Sequence, residues 1–118
     1  MVSLVLPKRR LVRIYAVTNA AWKQKVTIKP QHWNPIKWTG SGEQNHLIGH
    51  GAILTYGPNY LPQGFKVDVE IEHSSDGRTW KKNSLIVACG GRNCRSMYVY
   101  SEDAGDKDYN DAIVVFRW

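Results

Sequence analysis

The chain has 118 residues and a formal net charge of +6, with 42% hydrophobic and 22% charged residues. This composition predicts one ordinary globular domain over residues 1–118, with a single core, and the chain holds no apolar run long enough for a membrane span. The apolar start, Met1 to Pro7, is followed rather than preceded by Lys8-Arg9-Arg10. That order does not fit a standard secretory signal, so the protein is expected in the cytoplasm or released to the cell surface or exterior by another route.

In chain order, residues 11–17 read as a first strand and residues 24–29 as a second, with Trp22 in the loop between them. Asn34-Pro35 turns the chain, and Gly40-Ser41-Gly42 turns it again before strand-like stretches at 47–48 and 52–56. Beyond Gly57-Pro58-Asn59 lies the clearest element. Phe65, Val67, Val69 and Ile71 alternate with Lys66, Asp68, Glu70 and Glu72, the pattern of a half-buried strand with one wet face. Asp76-Gly77 marks a turn, and residues 85–88, 97–100 and 112–118 complete the set. No window of a dozen residues carries a helical period. Short strands at regular spacing predict an antiparallel sandwich or barrel.

Several smaller constellations carry little. Cys89 and Cys94 flank Gly90-Gly91 and are read equally as a bridge across a hairpin or as two free thiols; two cysteines alone make no structural zinc site. Lys8-Arg9-Arg10 with Arg13 form a short basic run, but the other basic residues are scattered and no aromatic-and-basic RNA motif is present, so no nucleic-acid partner is expected. His46 and His50 are four apart, as in zinc proteases, yet Leu47 stands where the catalytic Glu belongs and the segment is not helical. No nucleophile elbow, phosphate loop or dinucleotide fingerprint occurs. Of the five Trp residues, most are expected in the core, while an exposed one beside a polar site could stack on a sugar.

The acidic segment is different. Glu102, Asp103, Asp106, Asp108 and Asp111 are five of the chain's ten carboxylates, with Asn110 among them. Such crowding costs repulsion and desolvation unless a cation binds. All are hard oxygen donors with no His or Cys, which suits Ca²⁺ better than zinc or copper. An EF-hand loop is rejected, because Asp111 replaces the turn Gly, Arg117 replaces the bidentate Glu and the flanks are strand-like. A solvated acidic turn is the plain alternative. A glycosidase pair is disfavoured, because no catalytic pair stands apart from the metal loop.

The stretch 101–118, SEDAGDKDYNDAIVVFRW, closely resembles the C-terminus of the bacterial calcium-dependent fucose- and mannose-binding lectins, the fucose-binding lectin II family. A second match is the strand 14–18 running into Asn19, then Ala20-Ala21-Trp22, then a strand from Lys23; a weaker one covers Trp38 to Gly49. The resemblance implies a nine-stranded antiparallel β-sandwich and a non-enzymatic lectin, with Ca²⁺ as cofactor and glycans or glycoproteins bearing mannose or fucose as partners. By position, Glu102, Asp106, Asp108 and Asp111 would hold one ion, and Asn19, Asp108, Asn110 and Asp111 a second. Sugar hydroxyls would coordinate both, touching Asp106, Asp108 and Asp111, and Asp103 would accept hydrogen bonds from the sugar. Ala20, Ala21 and Trp22 would line the sugar. In the family the first of these three positions tunes the choice, Ser leaning to fucose and Ala to mannose. Family members run a few residues past the final Trp, and a partner subunit's terminal carboxylate closes the second ion's shell. The sequence stops at Trp118, so one or two ions and a homodimer of altered geometry are the expectations. The alternative is a structural or adhesive β-sandwich that binds calcium and no sugar.

Overall fold

A computed structural model describes residues 1–6, 11–31, 33–54, 65–90, 94–102 and 111–118, for Phe65 the backbone alone. Among these residues all regular structure is β, apart from a single 3₁₀ position at Cys94. The strands are β1 (Val2–Leu6), β2 (Val12–Pro30), β3 (Ile36–Leu54), β4 (Phe65–Ser74), β5 (Lys81–Lys82), β6 (Ser84–Gly90), β7 (Ser96–Glu102) and β8 (Ala112–Arg117). The hydrogen-bonded order is β1-β4-β2-β8-β7-β6, with β3 along β2 and β5 on β4. Every pairing is antiparallel. The sheet wraps toward closure, bringing β1 near β6, and the all-β prediction holds. Nine strands were expected; eight lie among the described residues.

The core follows from alternation. Val67, Val69 and Ile71 of β4 are fully buried, as their period predicts. They pack with Leu4 and Leu6 of β1, Val12, Ile14, Val26 and Ile28 of β2, and Val114 and Phe116 of β8. On the opposite face of β4, Glu72 lies beside Lys25 of β2 in register, and their charges approach to 3.6 Å. Trp33, Trp38 and Trp118 pack partly buried against the core, and the Lys25 ammonium lies 4.4 Å above the Trp80 ring.

Three expectations need correction. The apolar start, left outside the expected strands, is itself a strand: Val2–Leu6 pairs with β4 from Val2↔Val69 to Leu6↔Phe65. The predicted strands 11–17 and 24–29 are one 19-residue strand, and the predicted turn at Gly40-Ser41-Gly42 lies inside the equally long β3. The physical reason is compensation. From Thr18↔His46 to Ala20↔Gly42, β2 advances two residues while β3 advances four; from Ala20↔Gly42 to Gln24↔Gly40, β2 advances four while β3 advances two. Two opposed bulges restore the register, so neither strand ends. Gly49 serves a third irregularity. Its φ is +75°, and the Trp38 ring sits where its Cβ would be, so only glycine fits.

The cysteines, left open by the sequence, form a disulfide, Cys89–Cys94. Cys89 lies on β6, opposite Met97, and Cys94 lies in the turn before β7.

Candidate functional site

The two bulges lie where the strand-to-loop motif around Asn19 meets the end of the acidic segment. β8 lies beside the first half of β2, so Thr18 pairs with Ala112. The Asp111 carbonyl accepts from the Asn19 backbone N–H at 3.0 Å and from Thr18 Oγ1 at 2.7 Å, and the Asp111 N–H donates to the Ser101 carbonyl at 3.1 Å. Asp111 is thus clamped by its backbone between β2 and β7. Glu102 ends β7 one residue beyond Ser101, so the acidic segment leaves and re-enters the sheet at one place. Asp103, Asp106, Asp108 and Asn110 lie outside the described residues.

Glu102 and Asp111 are 6% and 7% exposed. Burial of two carboxylates at the two ends of the acidic segment is costly unless each is compensated. Asn19 is fixed from the side. Its Nδ2 donates to Asn45 Oδ1 at 2.9 Å, and its Oδ1 accepts from the Asn45 N–H at 2.6 Å. Gln44 and Asn45 lie in the β3 bulge at φ 62° and 55°, the left-handed region that Asn tolerates best. An amide oxygen can accept two partners, so the bond from Asn45 is compatible with ligation by Asn19 Oδ1. The described donors Asn19, Glu102 and Asp111 are all oxygen, the set a hard divalent ion takes. Among the described residues no three His, Cys, Asp or Glu side chains gather into a metal site, and the exposed His46 and His50 do not form one.

The three-residue loop is the bulge of β2. Ala20 is buried, Ala21 exposed, and Trp22 is 43% exposed although strand alternation would turn it inward with Ala20 and Gln24. One face of Trp22 stacks on His73, with ring centroids 5.6 Å apart and planes 18° apart. Behind it runs a buried polar chain that no sequence period announces. His73 Nδ1 meets Asn83 Oδ1 at 2.6 Å, and because an amide oxygen only accepts, Nδ1 carries the proton. Asn83 Nδ2 donates to Gln24 Oε1 at 2.9 Å and to Ser101 Oγ at 3.3 Å. Ser101 Oγ donates to the Ala112 carbonyl at 2.9 Å. Gln24 Nε2 reaches the Trp22 carbonyl at 3.4 Å. The wall carrying Trp22 and the strand ends flanking the acidic segment are therefore held by one hydrogen-bond network.

Beside Trp22 lies an open cleft of about 300 Å³, lined also by His73, Ser75, Asp76, Thr79 and Lys81. Asp76 Oδ1 accepts from the Thr79 and Arg78 N–H groups and from Ser74 Oγ, and these bonds, Thr79's foremost, lower its pKa to about 2.

The model of the fucose-binding lectin II (PA-IIL) family matches residues 4–118. The chain belongs to that family. Three solved structures share its fold over 98% of its length. The Chromobacterium violaceum lectin CV2L, in complex with α-methyl-fucoside, is 24% identical with a TM-score of 0.75 and 94% of its chain covered. A Ralstonia solanacearum high-affinity mannose-binding lectin is 26% identical, at 0.72 and 94%. The C-terminal domain of the Burkholderia cenocepacia lectin BC2L-C is 23% identical, at 0.71 and 93%. No curated protein gives a significant match. The family and these neighbours are carbohydrate-binding lectins, not enzymes, which sets the glycosidase alternative aside.

Proposed function

We propose that this chain is a calcium-dependent lectin for mannose- or fucose-type monosaccharides, built on the family's nine-stranded sandwich. The observation that carries the reading is the clamp of Asn19 against Asp111. It brings the loop 19–22 and the base of the acidic segment, distant in sequence, to one place. Asn19, Glu102 and Asp111, with Asp106, Asp108 and Asn110, would hold one or two Ca²⁺ ions. The ion supplies a cationic centre on which vicinal sugar hydroxyls replace water, and it offsets the carboxylates' mutual repulsion. The residues do the rest. Asn45 orients the Asn19 amide. Thr18 and Ser101 hold the Asp111 backbone, so Asn19 and Asp111 are positioned before ligand arrives. Asp103 accepts from the sugar. Ala20 and Ala21 offer the ligand no hydroxyl, which leans the choice to mannose. Glycans or glycoproteins with terminal mannose or fucose are the partners.

The test is stability against calcium. Ion binding to the folded state alone raises unfolding free energy by about 2.7 kcal/mol at ~100 times the dissociation constant. The melting temperature rises with Ca²⁺, falls with chelator, and stops responding in Asp108→Ala and Asp111→Ala. An identical melt in calcium and chelator overturns the reading.

A further inference from the structure

We infer that the cleft beside Trp22 is a second sugar subsite, which takes a hexopyranose linked to the calcium-held residue; this rests on the lectin reading above. Trp22 is placed where core packing does not require it. The β2 bulge carries it outward to 43% exposure, while His73 backs one face of its ring at 5.6 Å. The stacked pair borders a cleft of about 300 Å³, with one indole face braced by His73. A braced indole loses little freedom when a flat sugar face covers it.

The rim matches the edge of such a ring. Asp76 Oδ1 is held by three donors, and Oδ2 takes none of those bonds, so the carboxylate is fixed in place and ionised with one oxygen able to accept sugar hydroxyls. Thr79 lies on the same turn. Lys81, opposite His73 in register, adds a donor to the lining. An acceptor, a hydroxyl and a donor around an aromatic floor bind a neutral polyol rather than an anion or a lipid.

Position supports the linkage. Trp22 is three residues from Asn19 along a strand, so at ~3.3 Å per residue it lies within about 10 Å. That is the reach of a disaccharide rather than of one ring. The buried chain from Gln24 through Asn83 to Ser101 keeps the two subsites in fixed relation.

Calorimetric titration in calcium would compare methyl α-D-mannoside with α1→2, α1→3 and α1→6 mannobiose, and methyl α-L-fucoside with fucosylated N-acetylglucosamine disaccharides. At least one linkage binds roughly three- to tenfold tighter than its methyl glycoside, the gain expected of one aromatic stack. Trp22→Ala brings that ratio to about one, Trp22→Phe keeps part of it, and Thr79→Val lowers it by less. Circular dichroism confirms the fold of each variant. If the wild type binds a methyl glycoside yet gains nothing from any disaccharide, or if the ratio survives Trp22→Ala, the subsite is overturned and the lectin reading stands. If no glycoside binds in calcium, the lectin reading falls, and the subsite with it.

Discussion

Along β4 the buried and wet positions alternate without a break from Lys66 to Glu72, whereas along the β2–β3 hairpin the register slips three times. Both regions are antiparallel, and they pair with each other over eight residues of β2. β4 spends its residues on the core. The hairpin breaks its ladder beside Asn19 and Trp22, and there it releases Trp22, which a regular strand would bury. Regular pairing builds the scaffold, and paired bulges re-aim residues without ending either strand. The scaffold side depends on apolar volume; the bulge side depends on polar bonds that hold a shape.

That contrast can be broken most forcefully in the core. Ile71→Ala leaves a cavity among fully buried neighbours and costs about 2–5 kcal/mol, read from urea unfolding. Trp22→Ala, on the half-exposed bulge, costs under about 1 kcal/mol by the same measurement. Equal losses at the two positions would erase the distinction.

Asn83→Ala sharpens the comparison at the point where the two regions meet. It strips partners from His73, Gln24 and Ser101 in a buried setting, an expected loss of about 1–3 kcal/mol. It also loosens Trp22 relative to Asp111, so the Trp22 amide resonances shift more than those of Val67 and Val69 in the core of β4. A variant that destabilises the protein without touching the Trp22 environment would disconnect the network from the site.

The smallest expected effect is a pH dependence at the cleft. The Asp76 pKa is lowered in the folded state to about 2 from 3.8, so its contribution is complete above the unfolded value and is lost as pH falls toward the folded one. Melts of the wild type and Asp76→Asn therefore differ most above pH 4 and converge toward pH 2. A difference that stays constant across that window would show that the carboxylate charge is not the cause.

The same contrast explains what the sequence could disclose. β4 was legible because alternation of apolar and polar residues states both the element and its buried face, and β6, β7 and β8 because short apolar or aromatic runs stand between turn residues. β1 was not, since five apolar-leaning residues before a basic run look like a loose terminus, and only pairing with β4 makes them a strand. The continuity of β3 was hidden because glycines that serve bulges resemble glycines that make turns, and that of β2 because Asn19 to Trp22 break the alternation and read as a loop. Glu102 and Asp111 stood out by charge density, and Asn19 only through its resemblance to a family motif. Asn45 appeared only inside the weaker family match, and Gln24, His73 and Asn83 gave no signal: single polar residues far apart in the chain have no period, and their partnership exists only after folding. Trp22 was read as a loop residue at the sugar; the structure puts it on the bulge, backed by His73.

The central claim is that the clamp between Asn19 and Asp111 prepares a calcium-dependent sugar site. Its most direct test is calorimetric titration of methyl α-D-mannoside and methyl α-L-fucoside into the protein, once in millimolar calcium and once in chelator. The account predicts saturable binding in calcium, tighter for the mannoside, and no heat in chelator. Binding that persists undiminished in chelator, or silence toward both sugars in calcium, would contradict it.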